Sequence, residues 1–204
     1  MHRVGSLCAK CAKPLWAGKK RERAVGAKLL EWSAAGFIPT FTSADKSLPG
    51  TNLHYRVDFS YDLQSHYTGV ECDEHEHSMR GYAPRCELVR IYRLTCALGK
   101  PAVWIRYNPD AFKIGEKTAR VPRVQRESLL LLVLQAHLQV IPTDFLTIVY
   151  ICYSQPAVRM HSEIHDYVTT QRFATELEYE QHVGAVYPTD CAAAAGTPWY
   201  AAVF

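Results

Sequence analysis

Acidic side chains and imidazoles crowd one short stretch of the chain, GVECDEHEHSM at residues 69–79. Four carboxylates and two imidazoles fall within seven positions, and no lysine is mixed among them as on a typical solvated face. If GVECDE is a β-strand, its side chains alternate between two faces. Val70 and Cys72 can then face the core, while Glu71 and Asp73 project together at the end of the strand.

The preceding strand supplies a third carboxylate, because a hairpin would bring Asp58 beside Glu71 and Asp73. Three carboxylates at such close range repel one another unless a cation lies among them. Ligand sets made only of oxygen suit Mg²⁺ or Mn²⁺ rather than Zn²⁺. His77 follows Asp73 by four residues and could act as a base or an acid on a water at the metal. The cluster therefore predicts metal-dependent hydrolysis of phosphodiesters.

Strands that alternate with helices are expected to position these residues, and their order indicates an α/β fold with a sheet covered on both faces. We expect a basic, cysteine-containing arm at residues 1–23, one α/β domain at 24–154 and a partly irregular extension at 155–204. Helices are predicted at 23–36, 83–99 and 122–139, and strands at 53–63, 69–74, 100–110 and 145–154.

Charge is unevenly distributed along a chain whose net charge is only +3. Residues 1–30 contain eight basic side chains and one acidic one, whereas residues 161–204 contain one basic and six acidic ones. A basic arm could contact the phosphates of nucleic acid, although such runs are often only solvated. The candidate DNA contacts are Lys19, Lys20 and Arg21 in this arm, and Arg106 and Lys113 near the end of the predicted strand at 100–110.

The seven cysteines are odd in number, and neither a signal peptide nor a membrane-spanning segment is evident in the sequence. This pattern favours free thiols in a reducing compartment. We therefore expect an intracellular protein, cytoplasmic or nuclear, without a membrane partner. Cys8 and Cys11 have the spacing of half a zinc site, but two further ligands are not evident nearby. The pair is either the remnant of a zinc ribbon or two free thiols.

The two acidic strands, RVDF (56–59) followed by VECDEHEH (70–77), resemble the RPDF…(I/V)EVDGxxH core of the PD-(D/E)XK, or restriction-endonuclease-like, superfamily. The nearest branch is similar to the very-short-patch repair endonuclease and its bacterial relatives. A closer likeness is to domains of large DNA viruses and algae that carry VExDEHxH followed by FIRYNPD, which is VWIRYNPD (103–110) here. The resemblance covers about residues 24–153. It implies a mixed central sheet flanked by helices and a Mg²⁺- or Mn²⁺-dependent endonuclease acting on DNA.

Position by position, the resemblance implies that Asp58 and Glu71 bind the metal. Asp73, which would assist them, stands where the superfamily usually carries lysine. His77 matches a histidine that activates water or protonates the leaving group. Glu31, in the first helix, would match a helical glutamate that completes the metal site.

The missing motif lysine leaves open which cation steadies the attacking water and the phosphate. His77, Arg90 or Arg106 would have to take that role. Glu87 lies one helical turn from Arg90, so this pair either lines the cleft or forms a structural ion pair. Two functions therefore stay open: an active Mg²⁺-dependent endodeoxyribonuclease, or a catalytically decayed fold that binds nucleic acid or protein.

Overall fold

The computed structural model describes residues 20–47, 55–74, 84–114, 116–154, 162–165 and 167–186. Within these residues the chain forms one large mixed sheet, a separate two-stranded ribbon and four helices. The helices are α1 (Lys20–Ala34), α2 (Pro84–Leu98), α3 (Arg123–Gln139) and α4 (Glu176–Val186). The strands are β1 (Ser43–Ser47), β2 (Arg56–Asp62), β3 (Tyr67–Cys72), β4 (Ala102–Tyr107), β5 (Phe112–Ile114), β6 (Lys117–Ala119), β7 (Leu146–Ile151), β8 (Ser162–His165) and β9 (Val168–Phe173).

The large sheet has seven strands in the order β1-β2-β3-β4-β7-β9-β8. β1, β2 and β3 form an antiparallel meander, and β3, β4 and β7 run parallel to one another. β9 is antiparallel to both β7 and β8. This arrangement confirms the predicted α/β class with a mixed sheet flanked by helices.

Every residue of β3, β4 and β7 is buried, because helices cover both faces of the centre of the sheet. α1 and α3 pack against one face through side chains such as Leu29 and Leu134. α2 and α4 pack against the other face through side chains such as Ile91 and Tyr179. Burial on both faces explains why β4 and β7 have near-continuous apolar sequences rather than alternating ones.

A glycine allows close packing between β3 and β4 just before the acidic end of β3. Gly69 is the register partner of Trp104, and a Cβ at residue 69 would lie 2.8 Å from the Trp104 ring. The indole Nε1 donates a hydrogen bond to Thr95 Oγ1 of α2 at 3.0 Å. The space left by Gly69 thus lets the indole connect the sheet to α2.

The sequence pattern and the structure differ most at the two ends of the predicted domain. α1 begins at Lys20, three residues before the predicted start. The sheet also continues past residue 154, because β9 pairs with β7 from Leu146 to Ile151 and Tyr179 of α4 belongs to the core. The sequence of β9, VTTQRF, has no strict apolar alternation, so its pattern does not indicate a strand.

None of the described helices combines the length and the apolar character needed to cross a membrane. Most of the predicted basic arm, residues 1–19 of 1–23, lies outside the described residues, and so do residues 187–204.

Candidate functional site

The acidic residues of the hairpin meet where the backbone pairing of β2 with β3 ends, at Val70 of β3. Beyond that point, Asp58 Oδ2 accepts a hydrogen bond from the backbone N–H of Cys72 at 2.9 Å. Cys72 lies between Glu71 and Asp73 in sequence. The bond therefore fixes the Asp58 carboxylate beside the end of β3, where Glu71 and Asp73 flank Cys72.

A row of polar side chains crosses the sheet on the face covered by α2. Glu71 of β3 is the register partner of Arg106 of β4, which is in turn the register partner of Tyr150 of β7. The Arg106 guanidinium lies 5.8 Å from the centre of the Tyr150 ring, and Arg106 is only 7% exposed. Arg106 is thus directed into the protein, contrary to the expectation that it contacts DNA phosphates.

Asp73 is fully buried, and two donors bind its carboxylate. Its Oδ2 accepts hydrogen bonds from Arg106 Nε at 2.6 Å and from the Tyr153 hydroxyl. The Tyr153 ring also lies 5.9 Å from the Arg106 guanidinium. Because charge-assisted hydrogen bonds stabilise the ionised carboxylate and fix its partner, Asp73 holds Arg106 in position.

α2 contributes two further charges to the same face of the sheet, Glu87 and Arg90. Arg90 Nη2 lies 2.9 Å from Glu71 Oε1 and 3.1 Å from Glu87 Oε2, while its Nη1 donates to the Arg56 carbonyl at 2.8 Å. Glu87 Oε2 in turn lies 3.8 Å from Arg106 Nη2. The pair from α2 therefore lines the site, and opposite charges alternate along the whole network.

The network carries more negative than positive charge once Glu71 is ionised. The three buried carboxylates, Glu71, Asp73 and Glu87, then contact two guanidiniums, so one negative charge is in excess (3 − 2 = 1) before Asp58 is counted. Burial raises the pKa of Glu71 to about 8; Arg90 opposes this change, and the charges of Asp58 and Asp73 add to it. A site with excess buried negative charge is stabilised by a cation that can reach it.

Glu22, which the sequence reasoning did not single out, is a further buried carboxylate near the acidic end of β3, on the helix that covers the other face of the sheet. It lies in the first turn of α1 and is 5% exposed. Burial raises the pKa of the Cys72 thiol, and the negative charges of Asp58, Asp73, Glu74 and Glu22 raise it further. Glu22 is thus close enough to the acidic end of β3 to act electrostatically on it.

Glu31 does not face the acidic cluster. Its carboxylate is 65% exposed and lies 2.7 Å from Lys28 Nζ. Nine residues separate it from Glu22, which places the two on opposite sides of the helix. The apolar stripe of α1 distinguishes the two glutamates in the sequence, because Glu22 lies in line with it and Glu31 does not. The buried residues of this helix are Glu22, Val25, Gly26, Leu29 and Trp32.

The remaining predicted residues fall into two groups. Lys20 and Lys113 are exposed, whereas Arg21 is half exposed and its Nη2 lies 2.7 Å from Asp110 Oδ1. His77, Lys19, Cys8 and Cys11 lie outside the described residues, so their roles stay predictions.

The donor set suits a hard cation only in part. Among the described residues, no group of three or more histidine, cysteine, aspartate and glutamate side chains is arranged to hold a metal ion. Asp73 is held by both Arg106 and Tyr153, and Glu71 is held by Arg90, so Asp58 and Glu71 are kept as the candidate ligands and Asp73 is not. Two carboxylate ligands fit Mg²⁺, which usually keeps several waters and binds through one or two carboxylates and substrate phosphates.

Comparisons with models of known protein families, with characterised proteins and with solved structures gave no match to this chain. A proposal about its function therefore depends on the geometry of this site and on the motifs in its sequence.

Proposed function

We propose that this chain is an endonuclease that hydrolyses DNA phosphodiesters with Mg²⁺ or Mn²⁺ held where β2 and β3 end. One observation carries the proposal: the Cys72 amide binds Asp58 and so keeps the carboxylate of β2 beside the strand that bears Glu71. Carboxylates from two adjacent strands can then act on one cation. In sites that process phosphates, Mg²⁺ is commonly bound by such a small carboxylate set, with water and substrate completing its coordination.

The order of the elements supports the proposal. From α1 to β4, the chain forms a helix and then the antiparallel meander β1-β2-β3. The second helix, α2, then leads to β4, which runs parallel to β3. Asp58 lies on the second strand of that meander and Glu71 on the third. The resemblance to the PD-(D/E)XK superfamily implies the same placement of these two residues on neighbouring strands.

Asp58 and Glu71 are the proposed metal ligands, and Glu22 replaces Glu31 as the candidate helical carboxylate. When bound, the cation would polarise a phosphoryl oxygen and lower the pKa of a coordinated water. The task of the protein side chains is to hold the cation and to orient the phosphate against it.

Arg90 is the proposed substitute for the missing motif lysine. Its Nη2 lies 2.9 Å from Glu71 Oε1, so its positive charge lies next to a proposed metal ligand. The Arg106 guanidinium is held at Asp73 and acts as a positioning group for this network. His77 stays the predicted acid or base, with an expected contribution to the rate of about 10²- to 10⁴-fold.

A plasmid-nicking assay tests the proposal. Purified full-length chain is incubated with supercoiled DNA in Mg²⁺, in Mn²⁺ and in EDTA. We expect nicking with either metal and none in EDTA, and we expect Glu71→Gln and Asp58→Asn to abolish it because each removes a ligand charge. Glu31→Gln is the matched control, since its carboxylate is exposed and lies on the other side of α1 from Glu22. Equal nicking by Glu71→Gln and by the unaltered chain would rule out this site.

The second candidate is a catalytically decayed nuclease fold that binds nucleic acid or protein. One observation favours it, because guanidiniums of the protein already contact Glu71 and the fully buried Asp73. It predicts DNA binding that is independent of divalent metal and no cleavage with any metal. Metal-dependent cleavage that requires Glu71 would exclude it.

A further inference from the structure

The two-stranded sheet formed by β5 and β6, together with Arg120 that follows it, is called the basic ribbon below. One face of it packs against the protein through Phe112, which is 3% exposed, and through Ile114 and Ala119. Side chains alternate along each strand, so Lys113 and its register partner Thr118 lie on the opposite face, where both are exposed.

The exposed surface of the basic ribbon is positively charged. Lys113, Lys117 and Arg120 are exposed, and Glu116 is the single carboxylate between them, which gives a net charge of +2 (3 − 1). Alternation places Arg120, which follows Ala119, on the face of Lys113, whereas Lys117 is the register partner of Ile114 and belongs to the other face. Within the described part of the chain, none of these three cations has a carboxylate partner at ion-pair distance. Their charges are therefore available to an external anion.

The basic ribbon is fastened to the segments that build the acidic site. The Lys113 backbone N–H donates a hydrogen bond to Ser154 Oγ at 2.8 Å, and Ser154 follows Tyr153, whose hydroxyl binds Asp73. Asp110, just before the ribbon, lies 2.7 Å from Arg21, so a cation already balances its negative charge. These contacts place the exposed cations at a fixed position relative to the site.

We infer that the basic ribbon binds the phosphates of double-stranded DNA through Lys113 and Arg120 and holds the duplex against the acidic site. This inference rests on the proposed function, which takes DNA as the substrate. Surfaces that bind single strands stack bases on exposed aromatic rings, whereas the one aromatic ring of the described ribbon residues, Phe112, is buried. Exposed cations with a hydroxyl suit the phosphates of a duplex, whose bases are stacked inside.

The salt dependence of DNA binding tests the inference. Binding of the full-length chain to a fluorescent DNA duplex is measured in EDTA at several salt concentrations, so that neither cleavage nor divalent ions interfere. Each phosphate contact that is lost lowers the slope of log K against log salt by about 0.9 for duplex DNA. We expect a slope reduced by about 1.8 in the variant Lys113→Gln/Arg120→Gln and by about 0.9 in each single variant.

Arg172→Gln is the matched control. Arg172 is also an exposed cation, although only 48% exposed and 3.9 Å from Asp144. It pairs in register with Thr147 near the start of β7, at the other end of that strand from Tyr153 and Ser154. An unchanged slope in the double variant, with normal binding by the unaltered chain, would overturn the inference alone. Tighter binding of single strands or of duplex RNA would overturn the duplex DNA assignment. No binding of any nucleic acid by the unaltered chain would overturn the proposed function as well.

Discussion

Replacing Glu71 with glutamine should change how the stability of the protein depends on pH. Glu71 is almost fully buried, and burial raises the pKa of its carboxyl from 4.5 to about 8. The folded protein therefore retains a proton on Glu71 over a pH range in which the unfolded chain has released it. Glutamine has the same shape as the protonated acid and cannot ionise.

The sign of the effect follows from the two pKa values. Between about pH 4.5 and pH 8 the folded state binds more protons than the unfolded state, so the free energy of unfolding falls as the pH rises. Below that range the contribution of Glu71 is fully favourable, and above pH 8 it is fully lost. At about 1.4 kcal/mol per pH unit, the loss reaches at most about 5 kcal/mol.

The measurement is urea denaturation in EDTA at pH 5 and pH 9 for the unaltered chain and for Glu71→Gln. We expect the variant to gain up to about 4 kcal/mol relative to the unaltered chain between the two pH values. The comparison across pH cancels the constant cost of removing the partner of Arg90. A relative stability that does not change with pH, or that changes in the opposite direction, would refute the reasoning about the buried carboxylate.

Three further changes test the packing and the polar network by urea denaturation. Tyr153→Phe should lower the free energy of unfolding by about 1.5–3 kcal/mol, because the buried charge of Asp73 loses a donor; no loss would mean that this bond is dispensable. Arg106→Met should cost about 3–5 kcal/mol, and adding Asp73→Asn should recover part of it; strictly additive losses would contradict the pairing. Gly69→Ala should cost about 1–3 kcal/mol, because its Cβ would meet the Trp104 ring at 2.8 Å; a neutral change would show that the indole can shift freely.

Local pattern was sufficient to predict the hairpin and the central strands. Alternation within GVECDE places Glu71 on one face of β3, and the apolar sequence of β4 predicts burial on both faces. Both signals need only neighbouring residues in the sequence. The α/β class, the helices that follow these strands and the position of Asp58 on the neighbouring strand follow from the same reasoning.

The inward direction of Arg106 could not be predicted from local pattern. It depends on the register that aligns Arg106 with Glu71, and on a hydroxyl from Tyr153, 80 residues after Asp73. A charged residue at the end of an apolar strand is usually exposed, so the sequence favours a phosphate contact. Long-range pairing instead gives this guanidinium a buried carboxylate partner.

The burial of Glu22 was indicated by the sequence but was obscured by the charges around it. It stands in the run KKRER, which is typical of a solvated arm, although it also begins the apolar stripe of α1 that continues at Val25 and Leu29. β9 presents the opposite case, since its mixed sequence lacks the pattern of a strand and pairing with β7 stabilises it. Tertiary context decides both cases.

Binding of Mn²⁺, followed by the loss of the free-ion signal in electron paramagnetic resonance, tests the central claim most directly. We predict one Mn²⁺ site per chain that Mg²⁺ can displace. Loss of a residue that only supports a metal ligand lowers the metal affinity by about 10- to 100-fold. Asp58→Asn and Glu71→Gln remove proposed ligands, so each should lower the Mn²⁺ affinity by at least that factor, whereas Glu31→Gln should bind like the unaltered chain. No Mn²⁺ binding by the unaltered chain, or equal binding by all four proteins, would contradict a metal site formed by β2 and β3.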